Sequence, residues 1–213
     1  MGDSLVYKKD RFGKDVLVDV DSSEVMTYWE KPYMEALVDK LKPFGDVLEV
    51  GFGLGYSADA IQKYDITSHT IIECDSTVLE RTREWAKKQK HKVVIIEGTW
   101  EDQVPLLDQR FDSIFYDDFP LYFNSQTSDP RSYKFCNLLM EKNINKNARF
   151  THFCTKKLKN QTFTVIKPCR MNITRECEEF NTTLPEDIKL SKPLSFMKGL
   201  YIPLFIFNTG SPK

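Results

Sequence analysis

Asp46-Val47-Leu48-Glu49-Val50-Gly51-Phe52-Gly53-Leu54-Gly55-Tyr56-Ser57 is the stretch that decides the fold. An apolar run with β-branched residues breaks into three glycines at alternate positions, and Tyr56 to Lys63 then reads as a helix. The result is a strand, a tight turn and a helix. Glycines there let backbone N–H groups and the helix N-terminus approach a ligand that a Cβ would push away. Such turns also serve as plain structural corners, so the turn decides little alone. About 22 residues on, Thr70-Ile71-Ile72-Glu73-Cys74-Asp75 adds a second apolar strand ending in an acid, at the spacing where a carboxylate meets ribose hydroxyls. The two halves together point to a ribose-bearing ligand.

Working outward, Lys92 to Gly98 is a third strand, followed by Thr99-Trp100-Glu101-Asp102. Trp100 offers a flat face to a heterocycle and Glu101 an acceptor for an exocyclic amine; the plain alternative is a buried structural tryptophan. Phe111 to Pro120 is a fourth strand, ending in Asp117 and Asp118, and ligands sit at the carboxyl ends of parallel strands. Between the strands, Thr77 and Glu80 suggest a capping box opening a helix to about Lys90. Upstream, Pro32 suits a first helical position, and Met34, Leu37, Val38 and Leu41 share one face of a helix that ends before Pro43. Tyr28-Trp29-Glu30 puts a carboxylate beside two aromatics at that helix entrance. Beyond Ser132 the pattern predicts a helix over 133–142, a fifth strand over 148–155 and a terminal antiparallel pair, 161–166 with 200–207. The expectation is an α/β fold: an N-terminal arm, 1–24, then a single domain, 25–213, built on a mostly parallel sheet flanked by helices, with an antiparallel C-terminal strand pair.

The 213 residues suffice for one α/β domain with a full core. Lys+Arg 30 against Asp+Glu 31 gives a net charge of -1, which implies no general attraction to nucleic acid or an anionic membrane. The expected partner is small. Residues 1–25 contain no apolar signal core, and the longest apolar run, near 200–207, is too short to span a bilayer, so the expected location is cytoplasmic. Five scattered cysteines without a C-x-x-C pair suggest neither a disulfide framework nor a metal site.

Val25-Met26-Thr27-Tyr28-Trp29-Glu30-Lys31-Pro32-Tyr33-Met34, Leu48-Glu49-Val50-Gly51-Phe52-Gly53, Ile71-Ile72-Glu73-Cys74, Gly98-Thr99-Trp100-Glu101-Asp102 and Tyr116-Asp117-Asp118-Phe119-Pro120-Leu121 recur in register across residues 25–121. In these motifs the chain resembles the guanidinoacetate N-methyltransferase family. The resemblance implies a Rossmann-like class I methyltransferase fold, S-adenosylmethionine as methyl donor with S-adenosylhomocysteine as product, and a small-molecule guanidino acceptor. With guanidinoacetate as acceptor the product is creatine. Carried over by position, Met26, Met34, Gly51, Phe52, Gly53, Leu54, Gly55, Tyr56, Ser57, Glu73, Trp100 and Glu101 hold the donor, while Glu30 and Asp117 grip the guanidinium. Physical chemistry agrees, because a guanidinium is a planar cation with forked N–H donors, matched by two carboxylates. Asp117 is the expected catalytic base.

Three departures stand out. Asp117-Asp118-Phe119-Pro120 replaces the family's Asp-Thr-Tyr-Pro, and Asn145-Lys146-Asn147-Ala148 replaces its Lys-Pro-Gly-Gly turn. Lys156 and Lys157 stand where the family uses backbone amides for the acceptor's carboxylate. Two other readings remain: a protein arginine N-methyltransferase of the delta-nitrogen type, or a donor-binding protein without transferase activity. A monomer or homodimer is expected.

Overall fold

The computed structural model describes residues 5–118, 131–165, 171–181 and 200–208. Turn chemistry shapes the first elements. Asp10 Oδ1 accepts the N–H groups of Phe12 and Lys14, and folds β1 (Val6–Lys9) back on β2 (Asp15–Val18). β3 (Glu24–Thr27) completes this antiparallel meander. The arm thus runs without a break through a 3-10 turn, Tyr28–Glu30, into α1 (Lys31–Leu41), with Pro32 in its first turn. Leu17 and Met26 pack in one cluster with Leu37 and Val38 of α1.

β4 (Gly45–Val50) leads through the glycine turn to α2 (Tyr56–Ile61), β5 (Ile66–Glu73) and α3 (Ser76–Ala86). α3 corrects two expectations. Its cap is Asp75, whose Oδ1 accepts from Val78 N–H at 3.0 Å, and not a Thr77/Glu80 box. It stops at Ala86, short of Lys90, because Lys87 and Lys88 are exposed and bury nothing. β6 (Lys92–Glu97), α4 (Trp100–Gln103), β7 (Phe111–Tyr116), α5 (Arg131–Lys142) and β8 (Ile144–His152) follow. β8 starts earlier than expected. Phe111 already pairs with Ile144, and an irregular stretch with Asn147 in the left-handed region precedes the Ser113–Arg149 pairing.

β9 (Gln161–Val165), β10 (Met171–Glu179) and β11 (Tyr201–Asn208) finish an eight-stranded sheet, ordered β6-β5-β4-β7-β8-β11-β10-β9. The strands from β6 to β8 are parallel and the last three antiparallel. β9 and β11 do not pair with each other as expected, since β10 lies between them. Phe119 to Leu121, Ile166 and Cys169 lie outside the described residues.

The two faces of the sheet carry separate cores. Leu37, Leu41, Val47 and Phe115 fill the α1 side; Leu48, Ile114, Phe135 and Phe150 fill the α5 side. Tyr33 of α1, fully buried, ties the C-terminal strands to the first core. Its hydroxyl donates to the Tyr201 carbonyl at 2.7 Å and accepts from Cys154 N–H at 3.0 Å. Tyr33→Phe leaves both backbone groups buried without that partner, and should cost about 1–3 kcal/mol in urea unfolding with an unchanged m-value.

Candidate active site

The sheet's order reverses between β4 and β7. From β4 the chain moves outward through β5 and β6, then returns to β7 and β8 on the other side, and such switch points are where open α/β sheets bind ligands. Asp117 N–H donates to the Val50 carbonyl at 3.1 Å there. Gly51 has φ 81°, and a Cβ on it would collide with the Asp117 carbonyl oxygen. At Gly53, φ 51°, a Cβ would collide with Met26 Sδ, which accepts Leu54 N–H at 3.1 Å. The arm braces the same turn: Tyr7 hydroxyl donates to the Gly53 carbonyl at 2.7 Å, with the Arg81 guanidinium 4.4 Å from its ring centre. Tyr7 is a single aromatic among charges, and nothing in the sequence marked it.

Glu73, buried at the end of β5, bridges the turn to its own strand end. Oε2 accepts Phe52 N–H at 2.9 Å, and Oε1 accepts the N–H groups of Cys74 and Asp75 at 2.8 and 2.9 Å. Burial raises its pKa, and these three donors oppose the rise. A carboxylate offers about four acceptor positions, so one remains for a further donor. Trp100 is buried, edge-on to Tyr116 and Phe135. The Arg131 guanidinium lies 5.3 Å from its ring centre and also pairs with Glu101 at 2.8 Å. Met34 is fully buried in the α1 core, whereas Gly51 to Gly55 form the turn itself and Tyr56 and Ser57 open α2.

Strand pleating separates the two aspartates. Phe115 belongs to the α1-side core and Tyr116 to the α5-side core, so Asp117 continues the first face and Asp118 the second. Asp118 Oδ2 is fully engaged, accepting from Trp100 Nε1 at 2.9 Å, Tyr116 hydroxyl at 3.1 Å and Arg131 Nε at 2.6 Å. Glu30, buried, has Oε1 held by Thr27 N–H at 2.7 Å and Thr27 hydroxyl at 3.2 Å. Burial first, then the charge of Asp117, pushes Glu30 up to about 8. Burial, then the charges of Asp118 and Glu49, pushes Asp117 up to about 7. Among the described residues, neither Glu30 nor Asp117 has an ion-pair partner. Such a pair of acids asks for a cation.

Lys156 and Lys157 are exposed in the segment after β8. Lys157, Leu158, Lys159, Asn160 and Cys177 line a cavity of about 530 Å³. Tyr33 reaches this segment, its hydroxyl accepting from Cys154 N–H.

The sequence profile of guanidinoacetate N-methyltransferase matches residues 10–164. The chain belongs to this family. S-adenosylmethionine is the methyl donor that goes with it, and the glycine turn and the spare acceptor position of Glu73 fit a ligand that carries a ribose. Relatives of the chain include protein arginine N-methyltransferase 2 of Candida glabrata, 34% identical over 131 residues, covering 57% of this chain and 32% of that protein. The Aspergillus oryzae protein of that name is 37% identical over 113 residues, covering 51% and 27%. The chain thus spans about a third or less of the length of these curated relatives. Similar solved structures include spermidine synthase from Thermotoga maritima, with TM-score 0.54 at 15% identity, covering 98% of this chain and 74% of that one. An rRNA methylase from Streptococcus thermophilus gives TM-score 0.51 at 7% identity, covering 84% and 95%. At such identities the likeness is one of fold.

The raised acids fix a pH dependence of stability. A carboxyl whose folded pKa lies above its unfolded value near 4 contributes stability that is complete below that value and is lost as pH rises through the folded pKa. For Asp117 and Glu30 this window ends at about 7 and about 8. The melting temperature of the ligand-free protein should therefore fall between about pH 5 and pH 8. The slope should flatten in the Glu30→Gln/Asp117→Asn double variant, as followed by circular dichroism.

Proposed function

We propose that this chain is an S-adenosylmethionine-dependent N-methyltransferase whose acceptor is a guanidino group held between Glu30 and Asp117. The observation that carries the reading is the pair itself: a buried Glu30 and a half-buried Asp117, both of raised proton affinity and each without a cationic partner among the described residues. A guanidinium supplies the missing charge and presents N–H groups in a plane to both acids. Thr27 fixes one face of the clamp by holding Glu30 Oε1.

S-adenosylmethionine, when bound, supplies an electrophilic methyl group on a sulfonium. Gly51 to Ser57, Glu73 and Met26 line its site in this reading, with Trp100, Glu101 and Met34 behind them. The guanidinium nitrogen is a nucleophile only as its proton leaves, so Asp117 accepts that proton while Glu30 keeps charge on the other nitrogens. Asp118 has no part in this proton transfer, since it points to the opposite face and is held by three donors. Most of the rate then comes from positioning and from excluding water.

For the acceptor we read an arginine side chain of a protein, which the names of the relatives support. A small guanidino acid, guanidinoacetate giving creatine, is the second reading. It is favoured by the family's name and by the exposed lysines after β8, where Lys157, which lines the cavity, and its neighbour Lys156 would meet an acceptor carboxylate. In this reading the enzyme works in the cytoplasm, and its near-neutral charge gives it no general attraction for nucleic acid. Among the described residues no helix is long and apolar enough to cross a membrane.

Labelled donor, incubated with guanidinoacetate, other guanidino acids, free arginine and an arginine peptide, separates these readings; no transfer to any of them sinks the proposal. With the accepted substrate, Asp117→Asn should lower kcat by about 10²–10⁴. Glu30→Gln should chiefly weaken acceptor binding, by about 1.5–3 kcal/mol, and leave donor affinity alone. A full rate in Asp117→Asn would assign the base elsewhere. Replacing Lys156 and Lys157 together by Ala should raise the KM for guanidinoacetate and spare donor affinity, and equal kinetics would make them ordinary surface residues.

A further inference from the structure

Glu49 is a buried acid that the methyl transfer itself does not use. Its side chain is fully buried. It pairs in register with Phe115 of β7, and Asp117 follows Phe115 on the same face by one pleat repeat. Gly51, next to Glu49 on that face, has no side chain to stand between the two acids. On the other side Glu49 pairs in register with Ile71, one pleat repeat from His69, which is also fully buried. His69 Nε2 lies 2.8 Å from Glu49 Oε2, close but bent from ideal hydrogen-bond geometry. Glu49 Oε1 has no hydrogen-bond partner among the described residues.

The proton of this pair can be located. The backbone N–H of His91 can only donate, and it meets Gln62 Oε1 at 3.2 Å. The amide nitrogen of Gln62 therefore faces His69 Nδ1, at 3.3 Å, and that ring nitrogen must accept. A neutral His69 then carries its proton on Nε2 and aims it at the carboxylate. The groups facing these acids are Glu30 from the turn before α1, Tyr33 from α1 and His69 from β5, with Asp118 on the opposite face of the strand end that bears Asp117. Among the described residues, only Asp118 of these carboxylates pairs with an arginine.

A buried anion without a full set of partners is costly, and a hydrophobic residue would fill the same place in the sheet more cheaply. We infer that Glu49, oriented by His69, is a positioning residue whose fixed negative charge, acting across the gap at Gly51, makes Asp117 a stronger base. The inference rests on the guanidino reading of the Glu30 and Asp117 pair. The direction agrees with the raised proton affinity of Asp117, caused first by burial and then by the charges of Asp118 and Glu49. Rings link the pair mechanically to the donor turn, because His69 packs edge-on to Trp85 at 6.1 Å and Trp85 on Phe52 at 5.3 Å.

The test follows Asp117 directly. Carbon-13 NMR of labelled aspartate and glutamate carboxyls, titrated in ligand-free wild type, Glu49→Gln and Glu49→Asp, gives the Asp117 midpoint without needing activity. In Glu49→Gln the midpoint should fall by on the order of one pH unit and should return in Glu49→Asp. The acid limb of kcat/KM should move to lower pH by the same amount, with a lower plateau. An unmoved Asp117 midpoint in folded Glu49→Gln overturns the inference, whatever the acceptor proves to be. If Glu49→Gln does not fold, the wild type still decides: Glu49 must remain ionised while Asp117 takes up its proton, and a Glu49 that is protonated first overturns the inference. Absence of methyl transfer to every guanidino acceptor refutes the functional reading instead, and does so independently of how Asp117 titrates.

Discussion

The carbonyl oxygen of Asp117 fills the space that a Cβ at Gly51 would need, and the rest of the site depends on this close approach of two backbones. It occurs where the strand order reverses, at the carboxyl ends of β4 and β7, which stay hydrogen-bonded through Asp117 N–H and the Val50 carbonyl. Pleating then turns Asp117 toward Glu30 and Asp118 toward Trp100. One aspartate becomes structural and the other is left with burial and like charge around it. In the proposed reading a bound cation offsets that cost. On this account the instability of the free acids and the affinity for a guanidinium are one electrostatic fact seen in two states of the protein.

The arm is part of this arrangement. Leu5 N–H donates to Asp75 Oδ2 at 2.9 Å, Tyr7 to Gly53, and Met26 Sδ accepts from Leu54 N–H, so the meander touches the end of β5 and the glycine turn together. Asp75 thereby serves two N–H groups, that of Leu5 and that of Val78 in α3. The segment that braces the glycine turn also orders the helix after Glu73.

Much of this was legible because it rests on spacing. Three glycines after an apolar strand, an acid at the end of the next one and paired acids after a fourth gave the sheet, its polarity and the side on which ligands sit. The α1 face was equally plain, with Met34, Leu37, Val38 and Leu41 all buried. What escaped depends on contacts distant in sequence. β10 carries Arg175 and three glutamates among its apolar residues, and its strand character comes from two flanking partners. The Asp75 cap won over Thr77 because Asp75 was already at the helix boundary, with its carboxyl beside Val78 N–H. Arg131 and Tyr7 are invisible until the fold brings them to Asp118 and Gly53. The opposite directions of Asp117 and Asp118 were implicit in strand alternation, a signal present in the sequence and left unused. Glu49 was read as one more residue of an apolar strand, whereas its partner His69 lies on another strand.

The central claim is that a guanidinium replaces protons in the clamp. At pH 7, with Asp117 near 7 and Glu30 near 8, the free pair holds protons that a bound cation must expel. Calorimetry of acceptor binding, with S-adenosylhomocysteine present and in buffers of different ionisation enthalpy, counts them. The account expects about one proton released per acceptor bound at pH 7, with the release vanishing in the Glu30→Gln/Asp117→Asn double variant. Binding without proton release, or with uptake, would contradict it.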